Sequence, residues 1–226
     1  MTSLRVSGSS PAVSGLHVLA DDDPRWKNGP VAQAEAACSA GAAVIQLRAK
    51  HATDRLALEW AGAIRKITRE AEIHFIVNDR FDLALAAEAD GVHLGQGDLP
   101  PGRIPENARE KLTVGLSSHD LAQARAAAGA PVDYIAFGPI FGTQSKISPY
   151  SARGLKNLAD AVRLVAPLPL VAIGGIATKN LAEVMNAGAA GAAVISAVAG
   201  SPDPVSATQE LVEACGRPVV SPLETP

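Results

Sequence analysis

One short segment carries three polar side chains that could bind an anion together. It reads Gln46-Leu47-Arg48-Ala49-Lys50 and continues an apolar run that starts at Ala43. On an extended chain, residues two apart point to the same side, so Gln46, Arg48 and Lys50 would face one way. Two cations and an amide on one face suit a phosphate or a diphosphate. The alternative is a solvated strand end with scattered salt bridges, which is disfavoured because Arg is rarely buried without a partner.

Two aspartates follow the next two apolar runs. Asp79 stands in Asn78-Asp79-Arg80, and Asp98 stands in Gly95-Gln96-Gly97-Asp98. Mg²⁺ commonly uses one or two carboxylates and takes its other oxygens from water and substrate phosphates, so this pair would suit a metal–diphosphate complex. In a second interpretation, Asp79 pairs with Arg80 and Asp98 caps a short helix. The spacing leaves both interpretations open.

Three later segments predict a second anion site. Residues 138–146 are predicted as a glycine-containing loop in which Thr143, Ser145 and Lys146 could surround an anion, although a flexible polar loop would have the same composition. The pair Gly174-Gly175 would allow a ligand to approach the backbone closely, and Ile195-Ser196 precedes a short helical stretch. In barrel proteins, the loops after strands seven and eight often bind phosphate through backbone N–H groups.

The elements that must hold these residues repeat along the chain. An average spacing of about 25 residues between apolar runs is typical of strand-plus-helix units. Runs that are apolar on both faces are typical of strands covered by helices. Helices are predicted between the runs, most clearly over residues 53–71, 118–129 and 178–188. The predicted strands are 16–19, 43–47, 74–77, 91–94, 113–116, 134–137, 170–173 and 191–195.

This alternation predicts an α/β fold, a single-domain (β/α)₈ TIM barrel over residues 15–216. Residues 1–14 are predicted as a disordered lead-in and residues 217–226 as a loose tail. An open doubly wound sheet is the alternative, but it would usually show a glycine-rich fingerprint after the first strand. Here the first run is followed by Ala20-Asp21-Asp22-Asp23-Pro24, to which no role is assigned. In a barrel, reactive side chains lie at the C-terminal ends of strands. The polar residues named in the preceding paragraphs follow or end predicted strands and therefore fall at these ends.

Composition and simple motifs argue against several classes of function. The 226 residues include 20 Lys and Arg against 23 Asp and Glu, a net charge of −3 that offers no general attraction to nucleic acid or an anionic membrane. The uncharged stretch 184–202 contains too many small and polar residues for a good bilayer span. Cys38 and Cys215 form neither a disulfide framework nor a zinc motif and fit a reducing, cytoplasmic location. A covalent nucleophile is not indicated, since the sequence has no HExxH, nucleophile elbow or Walker loop.

Together these blocks resemble the thiamine-phosphate synthase family. The resemblance extends through residues 77–84 and 89–100, through Gly115-Leu116-Ser117-Ser118-His119, and through Ala172-Ile173-Gly174-Gly175-Ile176. It implies a transferase that joins 4-amino-5-hydroxymethyl-2-methylpyrimidine diphosphate to a thiazole phosphate, giving thiamine phosphate and pyrophosphate. The resemblance also implies Mg²⁺ as the cofactor and small molecules as the partners.

The same resemblance assigns roles to individual residues. Mg²⁺ would be bound by Asp79 and Asp98. Arg48, Lys50, Ser117 and Lys146 would be catalytic. The residues that would bind the two substrates are Gln46, Arg48, Lys50, Asn78, Ser117, Thr143, Ser145, Lys146, Gly175, Ile195 and Ser196.

Two other functions stay open at the level of sequence. A related group acts as a thiazole tautomerase and would not need the full diphosphate and metal set, so the presence of Arg48, Lys50, Asp79 and Asp98 favours the synthase. A non-catalytic sensor of phosphate ligands on the same barrel would bind thiazole phosphate without turnover. A homo-oligomer is compatible with each of these functions.

Overall fold

The computed structural model describes residues 13–143 and 149–216, and within them eight parallel strands close into a barrel. The predicted (β/α)₈ fold is thereby confirmed, and the doubly wound sheet is excluded because β1 pairs with β8. The strands are β1 Gly15–Asp21, β2 Val44–Arg48, β3 His74–Asn78, β4 Gly91–Leu94, β5 Thr113–Ser118, β6 Tyr134–Phe137, β7 Leu170–Ile173 and β8 Gly191–Val194.

Helices alternate with the strands and cover the outside of the barrel. A short 3₁₀ helix at Pro101–Arg103 precedes α4. Among the described residues, no helix is both long enough and apolar enough to cross a membrane. The helices are α1 Pro30–Ser39, α2 Asp54–Glu70, α3 Phe81–Ala86, α4 Glu106–Arg109, α5 Leu121–Ala128, α6 Gly154–Val165, α7 Thr178–Asn186, α8 Ser196–Ala199 and α9 Pro204–Gly216.

Local chemistry explains where the helices begin. Thr53 caps α2 by accepting a hydrogen bond from the Leu56 N–H, as its sequence position predicts. The prediction that a helix starts at Ser118 is wrong, because Ser118 is the last residue of β5 and its hydroxyl donates to the Ala136 carbonyl. The cap of α5 is Asp120, whose carboxylate accepts from the Gln123 N–H at 2.8 Å.

Two hydrophobic clusters divide the core. The larger cluster joins one face of the strands to the helices, with side chains such as Ile45, Phe75 and Val92 fully buried. The smaller cluster, which includes Val44 and Ile76, fills the inside of the barrel. This alternation is the period of two that an extended strand imposes, and it leaves the ends of the inward face for polar side chains.

The two ends of the chain lie mostly outside the described residues. This holds for residues 1–12 of the predicted lead-in and for the predicted tail, residues 217–226. The next residue, Val13, is buried, and its carbonyl accepts a hydrogen bond from the His17 ring at 2.7 Å. Val13 therefore packs with the barrel, although it falls within the predicted lead-in.

Candidate active site

A buried aspartate holds the first cation of the predicted site. Arg48 ends β2 on the same inward face as Val44 and Gln46, and it pairs with Asp21 at the end of β1, 2.5 Å between Nη1 and Oδ2. The Asp21 side chain is completely buried and also accepts hydrogen bonds from the Trp26 indole and the Asp23 N–H, both at 2.9 Å. Arg48 therefore has its guanidinium held in one place.

A second aspartate shapes the turn that carries Lys50. The Asp22 carboxylate accepts from the backbone N–H groups of Lys50, His51 and Ala52 at 2.7 to 2.8 Å. Since β2 ends at Arg48, strand register does not place Lys50 beside Gln46 and Arg48, contrary to the simple extended-chain expectation. The turn held by Asp22 brings its ammonium group to the same mouth of the barrel, where it pairs with Asp79.

Asp79 lies at the centre of the charged side of the mouth. Its φ of +66° is unusual for a non-glycine residue, and its N–H donates to the His93 carbonyl at 2.7 Å. Burial raises the pKa of the Asp79 carboxyl, and the adjacent Asp98 carboxyl raises it further, while Lys50 opposes both effects. The two acids are thus close enough to repel each other.

The structure contradicts the second interpretation of these two acids, in which Asp79 pairs with Arg80 and Asp98 caps a helix. Arg80 pairs with Asp54 and Asp82 at 2.7 to 2.8 Å, away from Asp79. The Asp98 carboxylate accepts from the Gly95 N–H at 2.6 Å and so closes its own loop; it does not cap a helix.

The two carboxylates fit a magnesium site. The described residues contain no cluster of three or more His, Cys, Asp or Glu side chains that could hold a metal by itself. Asp79 and Asp98 instead supply adjacent carboxylate oxygens whose mutual repulsion a divalent cation would relieve. Such a pair suits Mg²⁺ that completes its coordination with water and substrate phosphate oxygens.

Ser117 is joined to two residues deeper in the barrel. Its hydroxyl lies 2.9 Å from His93 Nε2, and His93 Nδ1 lies 2.9 Å from the Tyr134 hydroxyl. His17 is a neighbour in this polar layer, and burial lowers its pKa to about 4, so its ring is neutral at pH 7. The prediction that His17 and His93 fill the barrel interior is confirmed.

A second cavity of the mouth lies among the loops after β6, β7 and β8. Gly174 and Gly175 after β7 both have positive φ, and they share a cavity with Thr143 and with Ile195 and Ser196 after β8. A lining of loop backbone and hydroxyl groups can surround an anion without a side-chain charge.

The stacked rings of His119 and Tyr150 border the charged cavity, and His119 also borders the second cavity. The His119 ring lies 3.9 Å from the Tyr150 ring, and its Nδ1 donates to the Gly138 carbonyl at 2.7 Å. His119 therefore stands near the mouth, as its place after β5 predicts.

The described residues line three adjoining cavities at the C-terminal ends of the strands. Ser117 borders all three, while Arg48 and Asn78 border the inner cavity and the charged one. Ser145 and Lys146 lie outside the described residues. The predicted site residues that the structure brings together here are Gln46, Arg48, Lys50, Asn78, Asp79, Asp98, Ser117, Thr143, Gly175, Ile195 and Ser196.

Sequence reasoning missed the residues that support this site. Asp21 and Asp22 belong to the aspartate run to which no role was assigned, and their position after a strand was the available signal. Tyr134 carried no signal, because it begins an apolar run that looks like ordinary core.

Comparison with known proteins identifies relatives over most of the chain. Residues 16–198 match the family model described as thiamine monophosphate synthase. A thiamine-phosphate synthase from Chloroflexus aurantiacus is 45% identical over 196 residues, which cover 87% of this chain and 90% of that protein. Another, from Pelotomaculum thermopropionicum, is 48% identical over 164 residues, 73% of this chain and 75% of that protein.

A solved structure agrees with the sequence matches. The thiamine phosphate pyrophosphorylase from Pyrococcus furiosus superposes with a TM-score of 0.79 at 38% identity, covering 89% of this chain and 95% of that one. Sequence, fold and the grouping of polar residues at one barrel end point the same way. The chain belongs to the thiamine monophosphate synthase family, whose members are transferases.

Proposed function

We propose that this chain joins 4-amino-5-hydroxymethyl-2-methylpyrimidine diphosphate to thiazole phosphate, giving thiamine phosphate and pyrophosphate. The bond between the pyrimidine methylene carbon and the diphosphate oxygen breaks, and a bond from that carbon to the thiazole nitrogen forms. The observation that carries the proposal is the division of the barrel mouth. Cations and acids gather in one cavity, the loops after β6, β7 and β8 form another that includes Thr143 and Ser196, and Ser117 borders both.

The charged side suits the diphosphate of the first substrate. Arg48 and Lys50 supply positive charge, and Asn78 adds an amide that borders the same cavity. Gln46 lies deeper, in the inner cavity that His93 also borders, where an amide can hydrogen-bond to a pyrimidine ring. Mg²⁺, when bound by Asp79 and Asp98, would neutralise charge on the diphosphate oxygens.

The reaction makes modest demands on proton transfer. Departure of pyrophosphate leaves a pyrimidinylmethyl cation, which the aminopyrimidine ring delocalises. The protein must stabilise the leaving group and align the thiazole nitrogen, and it needs no strong base or covalent nucleophile. Asp21 holds the Arg48 guanidinium before substrate arrives, and Asp22 fixes the backbone turn that carries Lys50, whose ammonium group pairs with Asp79. Both cations border the cavity in which the leaving group would lie.

The cavity among the loops after β6, β7 and β8 suits the phosphate of the second substrate. Thr143, Gly175, Ile195 and Ser196 border one cavity that opens toward Ser117. Ser145 and Lys146, to which the family resemblance assigns thiazole phosphate and pyrophosphate, follow Thr143 closely in the sequence but lie outside the described residues.

Pyrophosphate release tests the proposal directly. The purified chain is mixed with both substrates and Mg²⁺, and pyrophosphate and thiamine phosphate are measured together. We expect equal amounts of the two products and none when either substrate is omitted. A folded sample that binds thiazole phosphate without turnover would support the sensor, and isomerisation of the thiazole alone would support the tautomerase.

Replacing Gly175 by Ala should weaken binding of thiazole phosphate. The added Cβ would lie 2.5 Å from the Gly142 carbonyl oxygen and 2.8 Å from Phe141 Cβ, at a φ of +65°, so the two loops must move apart. We expect the KM for thiazole phosphate to rise by about tenfold or more, because a shift of about 1 Å in a positioning group is strongly felt. Steady-state kinetics with each substrate varied in turn measures this.

The control for this variant is Gly62→Ala in α2, where the added methyl group meets open space. It should leave both KM values unchanged. A KM for thiazole phosphate that is the same in Gly175→Ala and in the unmodified chain would contradict the assignment of this cavity.

We further infer a cytoplasmic protein, an inference supported by two free cysteines, Cys38 and Cys215. A homo-oligomer is compatible with the proposed function. Sedimentation of the purified protein measures the oligomeric state.

A further inference from the structure

Three adjacent strands build a polar connection across the inside of the barrel. The register aligns His93 on β4 with Gly115 on β5, and Gly115 with Tyr134 on β6. A Cβ on Gly115 would lie 2.1 Å from Tyr134 Cζ and 2.5 Å from its hydroxyl oxygen. The Tyr134 ring therefore occupies the space that a side chain at position 115 would fill. This position lets its hydroxyl reach His93 across the intervening strand.

The hydrogen bonds in this connection run in one direction. Burial raises the pKa of Tyr134, so its hydroxyl keeps its proton. Among the described residues, the hydrogen-bond partner of that hydroxyl is His93 Nδ1, at 2.9 Å. Leaving a buried hydroxyl without an acceptor would cost about 1 to 3 kcal/mol, so Tyr134 donates to Nδ1.

The proton of the neutral His93 ring is then on Nε2. That N–H donates to the Ser117 Oγ at 2.9 Å. The Ser117 hydroxyl hydrogen must point elsewhere, and Ser117 borders all three cavities of the mouth. That hydrogen is therefore available to a ligand bound in these cavities.

We propose that His93 and Tyr134 are positioning residues that make the Ser117 hydroxyl a hydrogen-bond donor to the departing diphosphate. The proposal rests on the function proposed above and adds two residues to its machinery. Negative charge develops on the diphosphate oxygens as the carbon–oxygen bond breaks. A donor already aimed at those oxygens stabilises the transition state more than the bound substrate.

The same geometry excludes a more familiar use of Ser and His. A serine beside a histidine that is itself held by a third residue is the usual arrangement of an activated nucleophile. Here His93 Nε2 carries a hydrogen, so it has no lone pair with which to accept the Ser117 proton. The connection therefore prepares Ser117 to donate, not to attack.

NMR of the histidine ring nitrogens tests the direction without any turnover. In the unmodified protein at pH 7, we expect His93 as the neutral form protonated at Nε2. His17 provides an internal reference, because it donates from Nε2 to the Val13 carbonyl. In Tyr134→Phe, the fixed tautomer of His93 should be lost. A proton on Nδ1, or on both nitrogens, in the unmodified protein would overturn the proposal, even if the protein had no synthase activity.

A double-mutant cycle tests the consequence for catalysis. We expect Ser117→Ala to lower kcat by about 100-fold, the effect of removing one oriented donor. Tyr134→Phe should lower kcat by about tenfold with little change in KM, and in the Ser117→Ala background it should have an effect of about twofold or less. Equal effects of Tyr134→Phe in both backgrounds would show a merely structural role and overturn the proposal.

The matched control is Thr208→Val in α9. It also removes one buried hydroxyl and its hydrogen bond, which Thr208 donates to the Pro204 carbonyl at 2.7 Å. Its Tm should fall, as for Tyr134→Phe, while kcat stays unchanged. A fall in kcat in this control would attribute the effect of Tyr134→Phe to general destabilisation.

Discussion

Asp98→Asn is expected to lower kcat by about 1,000-fold and to abolish the proposed activation by Mg²⁺. The carboxylate loses its charge, so the pair with Asp79 can no longer hold a divalent cation together with substrate oxygens. The loop should keep its shape, since the amide oxygen introduced at position 98 can still accept the hydrogen bond from the Gly95 N–H. Pyrophosphate release measured across a range of Mg²⁺ concentrations gives both quantities.

The control is Asp82→Asn, which removes an exposed carboxylate three residues from Asp79. Asp82 pairs with Arg80 and faces away from the cavity, so the rate and its dependence on Mg²⁺ should be unchanged. A normal rate with a normal response to Mg²⁺ in Asp98→Asn would disprove the proposed metal site. The thermal unfolding temperature of both variants shows that the fold is retained.

Arg48→Met is expected to damage both stability and catalysis. The fully buried Asp21 would lose its ionic partner, and an uncompensated buried charge costs about 3 kcal/mol, a fall in Tm of roughly 6 to 12 °C. Loss of the cation proposed to face the diphosphate should lower kcat by about 100-fold or more. Thermal unfolding and pyrophosphate release, the latter measured well below Tm, test the two effects separately.

A second variant separates the two roles of this ion pair. In the double variant Asp21→Asn/Arg48→Met, neither partner of the buried pair is charged, and the amide oxygen at position 21 can still accept from the Trp26 indole and the Asp23 N–H, as Asp21 Oδ1 does. We expect most of the lost stability to return, because removing both partners of a buried pair costs far less than removing one. The rate should stay low. If kcat recovers together with Tm, Arg48 serves the fold and not the reaction.

Much of the barrel could be predicted from local patterns. Each of the eight predicted strands overlaps an observed one. A short run that is apolar on both faces is buried on both sides, which is the environment of a strand in a parallel sheet covered by helices. The residues at which strands end and helices begin were harder to predict. Ser118 looked like a helix cap, but pairing with Phe137 keeps it extended to the end of β5, and only the neighbouring strand decides this.

The candidate site could be predicted in outline for a similar reason. A barrel places the C-terminal end of every strand at one mouth, so Arg48, Asn78 and Ser117 had to approach each other once the fold was correct. Their proposed roles depend on the family resemblance and stay predictions until the variants are measured. Lys50 shows the limit of this reasoning, since a turn tied by Asp22 and not strand register brings it to the mouth.

By itself, the sequence determined the strand order, the end of the barrel at which the site lies and the types of polar side chain found there. These follow from period-two patterns and chain direction, which are local properties. Only the tertiary structure decided which partner each polar group has. The Asp21–Arg48 pair spans 27 positions and the His93–Tyr134 contact spans 41, so neither leaves a trace in local spacing. Barrel closure brings such distant groups within hydrogen-bonding distance, and burial then makes each unpaired alternative costly.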